Sequence, residues 1–482
     1  VSLGGRTVTT GSDGVAVFSA IPLGEKTATV TKKFYSAADQ KVTVDVFGST
    51  TSSVKLAAVG TITTLSIRDR LTDAPIAEAV LASAGSALGR SDKAGKVEAV
   101  IPNGKKEAAI SVTVPGYDVL QTTITAKTRV LQLIPSGSLY YLDRQDGKIN
   151  VVKSGLDGSQ RKVVVPGTGN ESDRTTYFSV SKDWKYGMLR SKRAPNKPEA
   201  LYVVTTKDDA FKVVDEGAMQ FTPIGWAGRY FVYLSMRTGA DQWRERTTQL
   251  KSYDAETGKL TVLDENASDL ASTPNNALYE VISEYHLTDT QVSYTKVWTA
   301  LGDKSLSLDG KQSVINTVKP DGTERKSVKS FPAAEVTAMT AKPAQPGTVY
   351  YQVQKSGDDS KVSYGELTMG VYRDITDAAS IDTRTHPAYL SSPDGNKTVW
   401  TEEAAESVTV YIGDKAAGDK KALREKSQYR LHAWLTNDRL IVVKDGELFI
   451  TTLEQFSKGS EPLKVASYFK PTDKNGYGYG AQ

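Results

Sequence analysis

Strand-like alternation with regularly spaced turns is the feature that most limits how this chain can fold. Stretches such as TATVTKKF, KVTVDVF, RYFVYLSMR and TVYYQVQKS are rich in Val, Thr and Tyr and alternate apolar with polar residues, which is typical of half-buried strands. No apolar stripe with a helical period lasts beyond a turn or two, so the sequence predicts an all-β fold. Asp-Gly pairs, which suit two-residue hairpins, lie between the stretches at 146–147, 157–158, 309–310, 321–322, 394–395 and 445–446.

The N-terminal part of the chain contains a repeat. SDGVAVFSAIPLG at 12–24 and SDKAGKVEAVIPNG at 91–104 are followed by the same order of strands and a Tyr-containing segment. The copies lie about 75–80 residues apart, a spacing that fits whole domains better than solenoid repeats. We therefore predict two tandem β-sandwich modules, at 1–59 and 60–136.

The repeat resembles the carboxypeptidase-regulatory-like and PEGA families of small, Ig-like β-sandwich modules. This resemblance implies a stalk or spacer on a secreted or surface protein. It is carried by Asp13-Gly14, Ile21, Pro22 and Gly24 in the first copy, and by TDAPI (72–76) with Pro115, Gly116 and Tyr117 in the second.

The first copy lacks an opening strand. About 30 residues of the second module precede Ser91 and include the strand TITTLSIRD, whereas only 11 residues precede Ser12. One interpretation is that the chain starts late in the module. The other is that another chain supplies the strand, as in donor-strand pairing, since an open sheet edge invites such pairing.

A longer repeat begins near Ser138. Seven units of four strands follow one another about 40 to 60 residues apart, a pattern typical of β-propellers. The turn SSPDGNKTVW (391–400) resembles the first hairpin of TolB-like and WD40-like propeller blades. We predict a seven-bladed β-propeller over 137–482, with six or eight blades as alternatives.

Ring closure is left open by the sequence, because the first unit lacks an innermost strand. Either TRVLQLIP (128–135) or the C-terminal tail (471–482) could supply it. The repeat assigns 128–135 to the second module, which favours the tail, although a disordered end is an equal alternative.

Composition excludes several kinds of chemistry. The chain has no Cys, which excludes disulfides, thiolate catalysis and iron–sulfur clusters. A Gly-x-Ser-x-Gly elbow and a dinucleotide-binding glycine motif are both missing, and no cofactor is expected. The net charge of +4 is spread along the chain, so nucleic acid is not an expected partner, and no apolar run reaches the ~18 residues of a membrane helix.

The three histidines are weak candidates for a metal site. His286, His386 and His432 lie in or just before the first strand of three different units, so they could converge near a central channel. Their offsets from the following turns differ, which indicates different depths. The sequence therefore favours no metal site.

Long loops between second and third strands are the best candidates for a binding surface, because such loops tolerate variation and carry function. The loop 237–248 is the richest in Trp and Arg, residue types enriched at binding hot spots. The alternative is a Trp packed on the blade edge beside solvated arginines. The candidate binding residues are Arg237, Trp243, Arg244, Arg246 and Trp298.

The sequence thus predicts a non-enzymatic, extracytoplasmic protein, secreted or on the surface of a bacterial cell. The sandwich modules form a stalk, and the propeller binds a protein or glycan partner, as in adhesion. One alternative is a propeller hydrolase or lyase acting on polysaccharide or cell wall. Another is a self-associating subunit of a surface filament or layer. Because the chain starts at Val1 and not Met, it looks processed, with a possible anchor upstream.

Overall fold

The computed structural model describes the chain in nine ranges, and its regular structure is almost entirely β. By contacts the chain divides into two compact units, Val1–Ser136 and Gly137–Gln482. The described ranges are 1–46, 50–237, 247–266, 268–273, 276–301, 307–355, 362–376, 389–404 and 407–467.

The first module of the N-terminal unit forms one antiparallel sheet in the order β2-β1-β3-β4. Its side chains that face inward are only partly covered, apart from the buried Leu3 and Ala28. The residues between β2 and β3, 8–23, adopt no strand. The strands are β1 (Ser2–Leu3), β2 (Arg6–Thr7), β3 (Gly24–Val30) and β4 (Ala38–Val44).

The second module forms two sheets, ordered β10-β9-β6-β7 and β11-β5-β8. Leu65 and Ile67 of one sheet and Ile110 and Val112 of the other belong to one hydrophobic core. The strands are β5 (Gly60–Asp69), β6 (Val80–Ser83), β7 (Ser86–Arg90), β8 (Lys96–Pro102), β9 (Glu107–Thr113), β10 (Leu120–Thr125) and β11 (Val130–Leu133). Because β11 pairs in parallel with β5, the segment 128–135 belongs to this module.

The two modules repeat the same strand order. The order β2-β1-β3-β4 in the first corresponds to β7-β6-β9-β10 in the second. The isolated bridge between Tyr35 and Ala58 also has its counterpart between Tyr117 and Pro135. The sequence repeat is therefore a repeat of strand pairing, whereas the likeness to the Ig-like and PEGA families stays a prediction.

The C-terminal unit contains, within the described residues, seven antiparallel sheets whose strands follow chain order. The first three sheets consist of β12 (Leu139–Gln145), β13 (Lys148–Ser154) and β14 (Lys162–Val165); β15 (Tyr177–Val180), β16 (Tyr186–Ser191), β17 (Ala200–Thr205) and β18 (Phe211–Asp215); and β19 (Gln220–Ala227), β20 (Tyr230–Arg237), β21 (Thr247–Asp254) and β22 (Leu260–Glu265).

The fourth sheet has five strands and the last three have four each. The fourth comprises β23 (Ser268–Thr273), β24 (Asn276–Leu287), β25 (Val292–Leu301), β26 (Gln312–Val318) and β27 (Lys326–Pro332). The fifth to seventh comprise β28 (Val336–Gln345), β29 (Thr348–Lys355), β30 (Val362–Thr368) and β31 (Val371–Ile375); β32 (Leu390–Ser391), β33 (Lys397–Ala404), β34 (Ser407–Asp414) and β35 (Lys421–Ser427); and β36 (Arg430–Thr436), β37 (Arg439–Lys444), β38 (Glu447–Thr452) and β39 (Leu463–Ser467).

Helical structure is confined to two short segments in the described residues, a 3-10 turn at Ala333–Glu335 and the helix α1 (Leu453–Ser457). The hydroxyl of Thr452 accepts a hydrogen bond from the Gln455 amide and so caps α1, as expected for an N-cap threonine. Phe456 of α1 is fully buried in the core of the last two sheets.

Buried carboxylates join the second, third and fourth sheets. Asp215, at the end of β18, accepts hydrogen bonds from Tyr233 Oη at 2.8 Å and Lys251 Nζ at 2.9 Å, both from the third sheet. Asp264, at the corresponding place on β22, accepts from Tyr294 Oη of the fourth sheet at 2.6 Å. The same Asp–Tyr contact therefore recurs at two successive interfaces.

Candidate functional site

Hairpin turns from sheets that are not consecutive in the chain meet at one place in the C-terminal unit. Trp184 Nε1, in the turn between β15 and β16, donates to the carbonyl oxygen of Trp434 in the seventh sheet at 3.0 Å. Lys182, in the same turn, pairs at 3.1 Å with Asp289 of the β24–β25 turn. The second, fourth and seventh sheets are thus in contact through the ends of their hairpins.

A small cleft opens beside these turns, between the fourth and fifth sheets. Polar side chains of the fourth sheet line one wall, and the backbone and aliphatic side chains of the fifth line the other. The lining residues are His286, Thr288, Gln291, Ser293, Gly347, Val349 and Leu367. The cleft offers about 10 Å³, which is room for a single water-sized group such as one hydroxyl.

A β-bulge in β24 positions the histidine of this cleft. Ser283 pairs with Thr295 and His286 with Ser293, so two residues of β24 face the single residue Tyr294. Glu284, inside the bulge, has a φ of +54°, a left-handed conformation that costs a non-glycine residue about 1–3 kcal/mol. Bulges of this kind re-aim side chains and are frequent next to functional sites.

His286 is half-buried, and the Nε2 atom of its imidazole is itself buried. Its Nε2 atom has no hydrogen-bond partner among the described residues. Burial lowers the pKa of His286, because a low-dielectric surrounding disfavours the imidazolium ion. At neutral pH the ring is therefore uncharged, and Nε2 is free to bond a ligand group in the cleft.

Glu284, two residues before the histidine, is perturbed in the opposite sense. Its Oε2 atom accepts a hydrogen bond from the Ala341 amide of β28 at 2.6 Å. Burial raises the pKa of Glu284, against the lowering effect of that hydrogen bond. Glu284 therefore keeps its proton to a higher pH than an ordinary carboxyl group. His286, two residues further on, loses its proton at a lower pH than an ordinary imidazole.

Tyrosines surround the bulge and stay protonated. Tyr285 Oη donates to the carbonyl oxygen of Ile282, and burial raises its pKa. Tyr351 Oη, from the fifth sheet, lies 3.4 Å from Ser293 Oγ in the cleft wall. Burial raises the pKa of Tyr351 to about 12, so its phenol acts as a hydrogen-bond donor at neutral pH.

The structure describes two of the five candidate binding residues, Arg237 and Trp298. Arg237 pairs with Asp215 at 3.1 Å, at the interface between the second and third sheets. Trp298 is 8% exposed and packs in a core cluster with Leu278 and Ala333, with Lys311 Nζ 4.5 Å from its ring centroid. It is therefore a core side chain, and its role in binding stays a prediction. Trp243, Arg244 and Arg246 lie outside the described residues.

The two histidines that the structure describes lie in different sheets. His286 lies on β24 of the fourth sheet and His432 on β36 of the seventh, whereas His386 falls outside the described ranges. In the described part of the chain, no group of three or more His, Asp or Glu side chains is placed to hold a metal ion. The sequence analysis singled out His286 but missed Glu284, for which the sequence carries no signal.

Comparisons with known proteins gave structural neighbours only. No protein-family model and no curated protein matches the chain. Similar solved structures include an oligogalacturonate lyase from Vibrio parahaemolyticus, at 11% identity and a TM-score of 0.36, covering 69% of this chain and 85% of that one. The β-propeller domain of the trilobed protease from Pyrococcus furiosus shows 11% identity and a TM-score of 0.35, with 76% and 95% covered.

A third neighbour is TolB from Acinetobacter baumannii, at 12% identity and a TM-score of 0.27, with 64% of this chain and 74% of that one covered. At these identities and TM-scores, none of the three assigns a family or an activity to this chain. Within the described residues, no helix is long and apolar enough to cross a membrane.

Proposed function

We propose that the C-terminal unit is a seven-bladed β-propeller and that the chain is a non-enzymatic binding protein. Its partner is a glycan, one of whose hydroxyl groups enters the cleft at His286. The observation that carries this proposal is the buried Nε2 atom of His286, which lacks a hydrogen-bond partner among the described residues. A buried polar atom left unbonded costs free energy that a ligand can recover.

Contacts between the first and last sheets support a closed ring. A Cβ atom added to Gly158, in the loop after β13, would lie 2.2 Å from the carbonyl oxygen of Val465 on β39. The first and seventh sheets are thus packed against each other at this point. The hydrogen bond from Trp184 to Trp434 adds a contact between the second and seventh sheets. Such a contact is expected in a closed ring, because the first sheet has only three strands and leaves space near the centre.

The chemistry of the cleft favours a neutral, hydroxyl-rich ligand. Its polar lining consists of a neutral imidazole, two hydroxyl groups and one carboxamide, from His286, Thr288, Ser293 and Gln291. No Lys, Arg, Asp or Glu is in the described lining, so it offers no counter-ion to a phosphate or carboxylate. Uncharged groups that both donate and accept match the hydroxyl groups of a sugar.

The chain's three histidines make a direct test practical. In protein labelled selectively on histidine, a neutral tetrasaccharide of glucose, mannose or N-acetylglucosamine should shift the His286 resonance and leave that of His432 in place. His286→Gln should weaken binding, and His432→Gln serves as the matched control. If none of these sugars shifts His286 at millimolar concentration, or if both variants bind equally well, the proposal is wrong.

A second candidate function is cleavage of a polysaccharide by hydrolysis or elimination, and the perturbed pKa values of Glu284 and His286 favour it. Titratable groups with perturbed pKa values are candidates for the acid and base of an active site. In an enzyme, Glu284→Gln would abolish cleavage of a bound polysaccharide while binding persists. In a binding protein, no reducing ends or unsaturated products would appear with either form.

For location, we propose an extracytoplasmic protein whose N-terminal modules act as a stalk. The resemblance of the repeat to spacer modules supports this assignment. Protease added to intact host cells should cleave the chain, and protection until the cells are lysed would contradict it.

A further inference from the structure

The cleft at His286 has room for a single hydroxyl group and is too small for a sugar ring. In the glycan-binding function proposed above, on which the following site depends, the sugar rings must therefore lie outside the cleft. Two of its lining residues, Thr288 and Gln291, belong to the turn between β24 and β25. The surface around that turn thus decides how the rest of the glycan is held.

An ion pair joins this turn to the turn between β15 and β16. Lys182 Nζ lies 3.1 Å from a carboxylate oxygen of Asp289, whose side chain is 61% exposed. Trp184 follows Lys182 by two residues in the same turn and is half-buried. The tryptophan is therefore no further from the β24–β25 turn than these two paired side chains allow, and part of its surface meets solvent.

The backbone conformation of Trp184 is one that normally requires glycine. Its φ is +59°, and Gly395, at the equivalent place of the turn between β32 and β33, has a φ of +71°. The two turns are otherwise alike, since each of these residues donates its N–H to a serine carbonyl oxygen at 2.8 Å and each serine hydroxyl bonds an Asp carboxylate. A left-handed backbone is disfavoured for a residue with a Cβ atom and is found mainly at functional sites such as ligand clamps. The turn thus carries a large aromatic ring where folding alone favours glycine.

A hydrogen bond fixes the indole ring of Trp184. Its Nε1 atom donates to the carbonyl oxygen of Trp434 at 3.0 Å, and Trp434 in turn donates to the carbonyl oxygen of Leu390 at 2.8 Å. Because the ring is held in advance, a ligand that packs on it loses little side-chain entropy. The N–H group is already bonded, so the indole offers a ligand its apolar ring surface.

We propose that Trp184 is the stacking platform of a second sugar subsite, which holds one ring of the glycan whose hydroxyl group enters the His286 cleft. In β-linked glucose and N-acetylglucosamine the ring substituents are equatorial, so both faces of the ring are C–H surface that packs on an indole. The exposed carboxylate of Asp289 accepts hydrogen bonds from the hydroxyl groups at the rim of that ring, and Lys182 keeps the pair neutral. The ligand class is a β-linked chain of glucose or N-acetylglucosamine.

The probe for this subsite is cellotetraose, a β-linked glucose tetrasaccharide, titrated into the 482-residue protein by calorimetry. Trp184→Gly gives the turn the same residue type as its counterpart at Gly395, so it should keep the fold and remove the platform. Its affinity should fall by about tenfold or more, as for the loss of an aromatic hot spot. Trp184→Phe keeps an aromatic ring without the N–H group and should bind clearly more tightly than Trp184→Gly.

Two controls make the test specific. Phe34→Gly also removes a half-buried aromatic ring at a positive φ, but in the N-terminal unit, and should leave the affinity within about twofold. An α-linked mannose tetrasaccharide carries axial oxygen atoms on both ring faces and should bind the parent more weakly than cellotetraose does. Equal affinity of the parent and Trp184→Gly would overturn the subsite, and so would an equal loss in Trp184→Gly and Trp184→Phe.

The His286 resonance distinguishes failure of the subsite from failure of the proposed function. If cellotetraose shifts this resonance but binds the parent and Trp184→Gly equally well, the subsite is wrong and the cleft remains. If the mannose tetrasaccharide shifts it and cellotetraose does not, the subsite is again wrong by itself. If neither sugar nor a tetrasaccharide of N-acetylglucosamine shifts it, the proposed function is wrong, and the subsite with it.

Discussion

Replacing Asp215 by Asn tests whether buried carboxylates hold the sheets of the C-terminal unit together. Asp215 and Lys251 are 8% and 4% exposed, and Asp215 also accepts from Tyr233 Oη and Arg237 Nη2. Burial raises the pKa of Tyr233, and the Asp215 charge adds to this, so the phenol remains protonated and donates. Asp215→Asn preserves shape but leaves the Lys251 ammonium group buried without a counter-ion.

The expected cost follows from that unpaired charge. Breaking a buried ion pair by removing one partner costs about 3–5 kcal/mol. Arg237 is more exposed than Lys251, so its loss of a partner adds little. Replacing both members of a buried pair by neutral groups is often close to neutral, so Asp215→Asn combined with Lys251→Met should lie within about 2 kcal/mol of the parent.

The next interface supplies a matched comparison. Asp264 is paired with Lys296 at 3.5 Å, but Lys296 also pairs with Glu280 at 2.8 Å. After Asp264→Asn, Lys296 therefore keeps a counter-ion. We expect Asp264→Asn to destabilise the unit clearly less than Asp215→Asn.

Tryptophan fluorescence during urea unfolding is a suitable assay, because all six Trp residues lie between 184 and 434, in the C-terminal unit. A shift in midpoint with an unchanged slope reports a change in stability. The reasoning is refuted if Asp215→Asn costs less than about 1 kcal/mol, well under the range for a broken buried pair. It is also refuted if the double variant is as unstable as the single one.

Three further changes should give readable shifts in the same assay. Glu284→Gln should stabilise the unit at pH 8 and have little effect at pH 4. The pKa of Glu284 is raised in the folded state, so stability is lost as the pH rises from the unfolded pKa through the folded one. An equal effect at both pH values would contradict the burial argument. His286→Gln should make the protein less sensitive to acid below about pH 6.5. The pKa of His286 is lowered in the folded state, so in the parent the unfolded chain takes up the proton first and stability falls. Parallel pH profiles of variant and parent would refute this. Gly365→Ala should lower the free energy of unfolding by about 1–3 kcal/mol, because the added Cβ would lie 2.1 Å from Tyr372 Cζ. As a control, Gly365→Ala should cost little in a Tyr372→Ala background. An equal cost in both backgrounds would point to another cause.

Strand positions in the C-terminal unit are predictable because each depends on local alternation and local turns. The strand-like stretches RYFVYLSMR and TVYYQVQKS fall in β20 and β29, and each of these is the second strand of its sheet. The fourth sheet differs, because it has an additional strand, β23, before its hairpin. Nothing in the sequence indicates β23, because SDLAST has neither aromatic residues nor regular alternation.

The candidate site is only partly predictable, because it depends on backbone conformation. His286 stands out in the sequence as a rare residue type near a turn. Its neighbour Glu284 matters through a positive φ and a bulge, which pairing between two strands decides and which no residue type in SEYHL signals. Trp298, a candidate binding residue from the sequence, lies in a core cluster, and its role in binding stays a prediction.

The buried carboxylates show that a repeat can also signal contacts between its units. The outer strands of the second and third sheets end in VVDE and VLDE, and the Asp of each accepts a hydrogen bond from a tyrosine of the following sheet. An acidic residue at the end of an apolar strand, repeated at the same position of successive units, is costly to bury unless a partner is present. The partner must then come from the neighbouring unit, since each Asp lies on the outermost strand of its own sheet. A repeated strand-end Asp therefore indicates contact between successive sheets as well as the existence of the repeat.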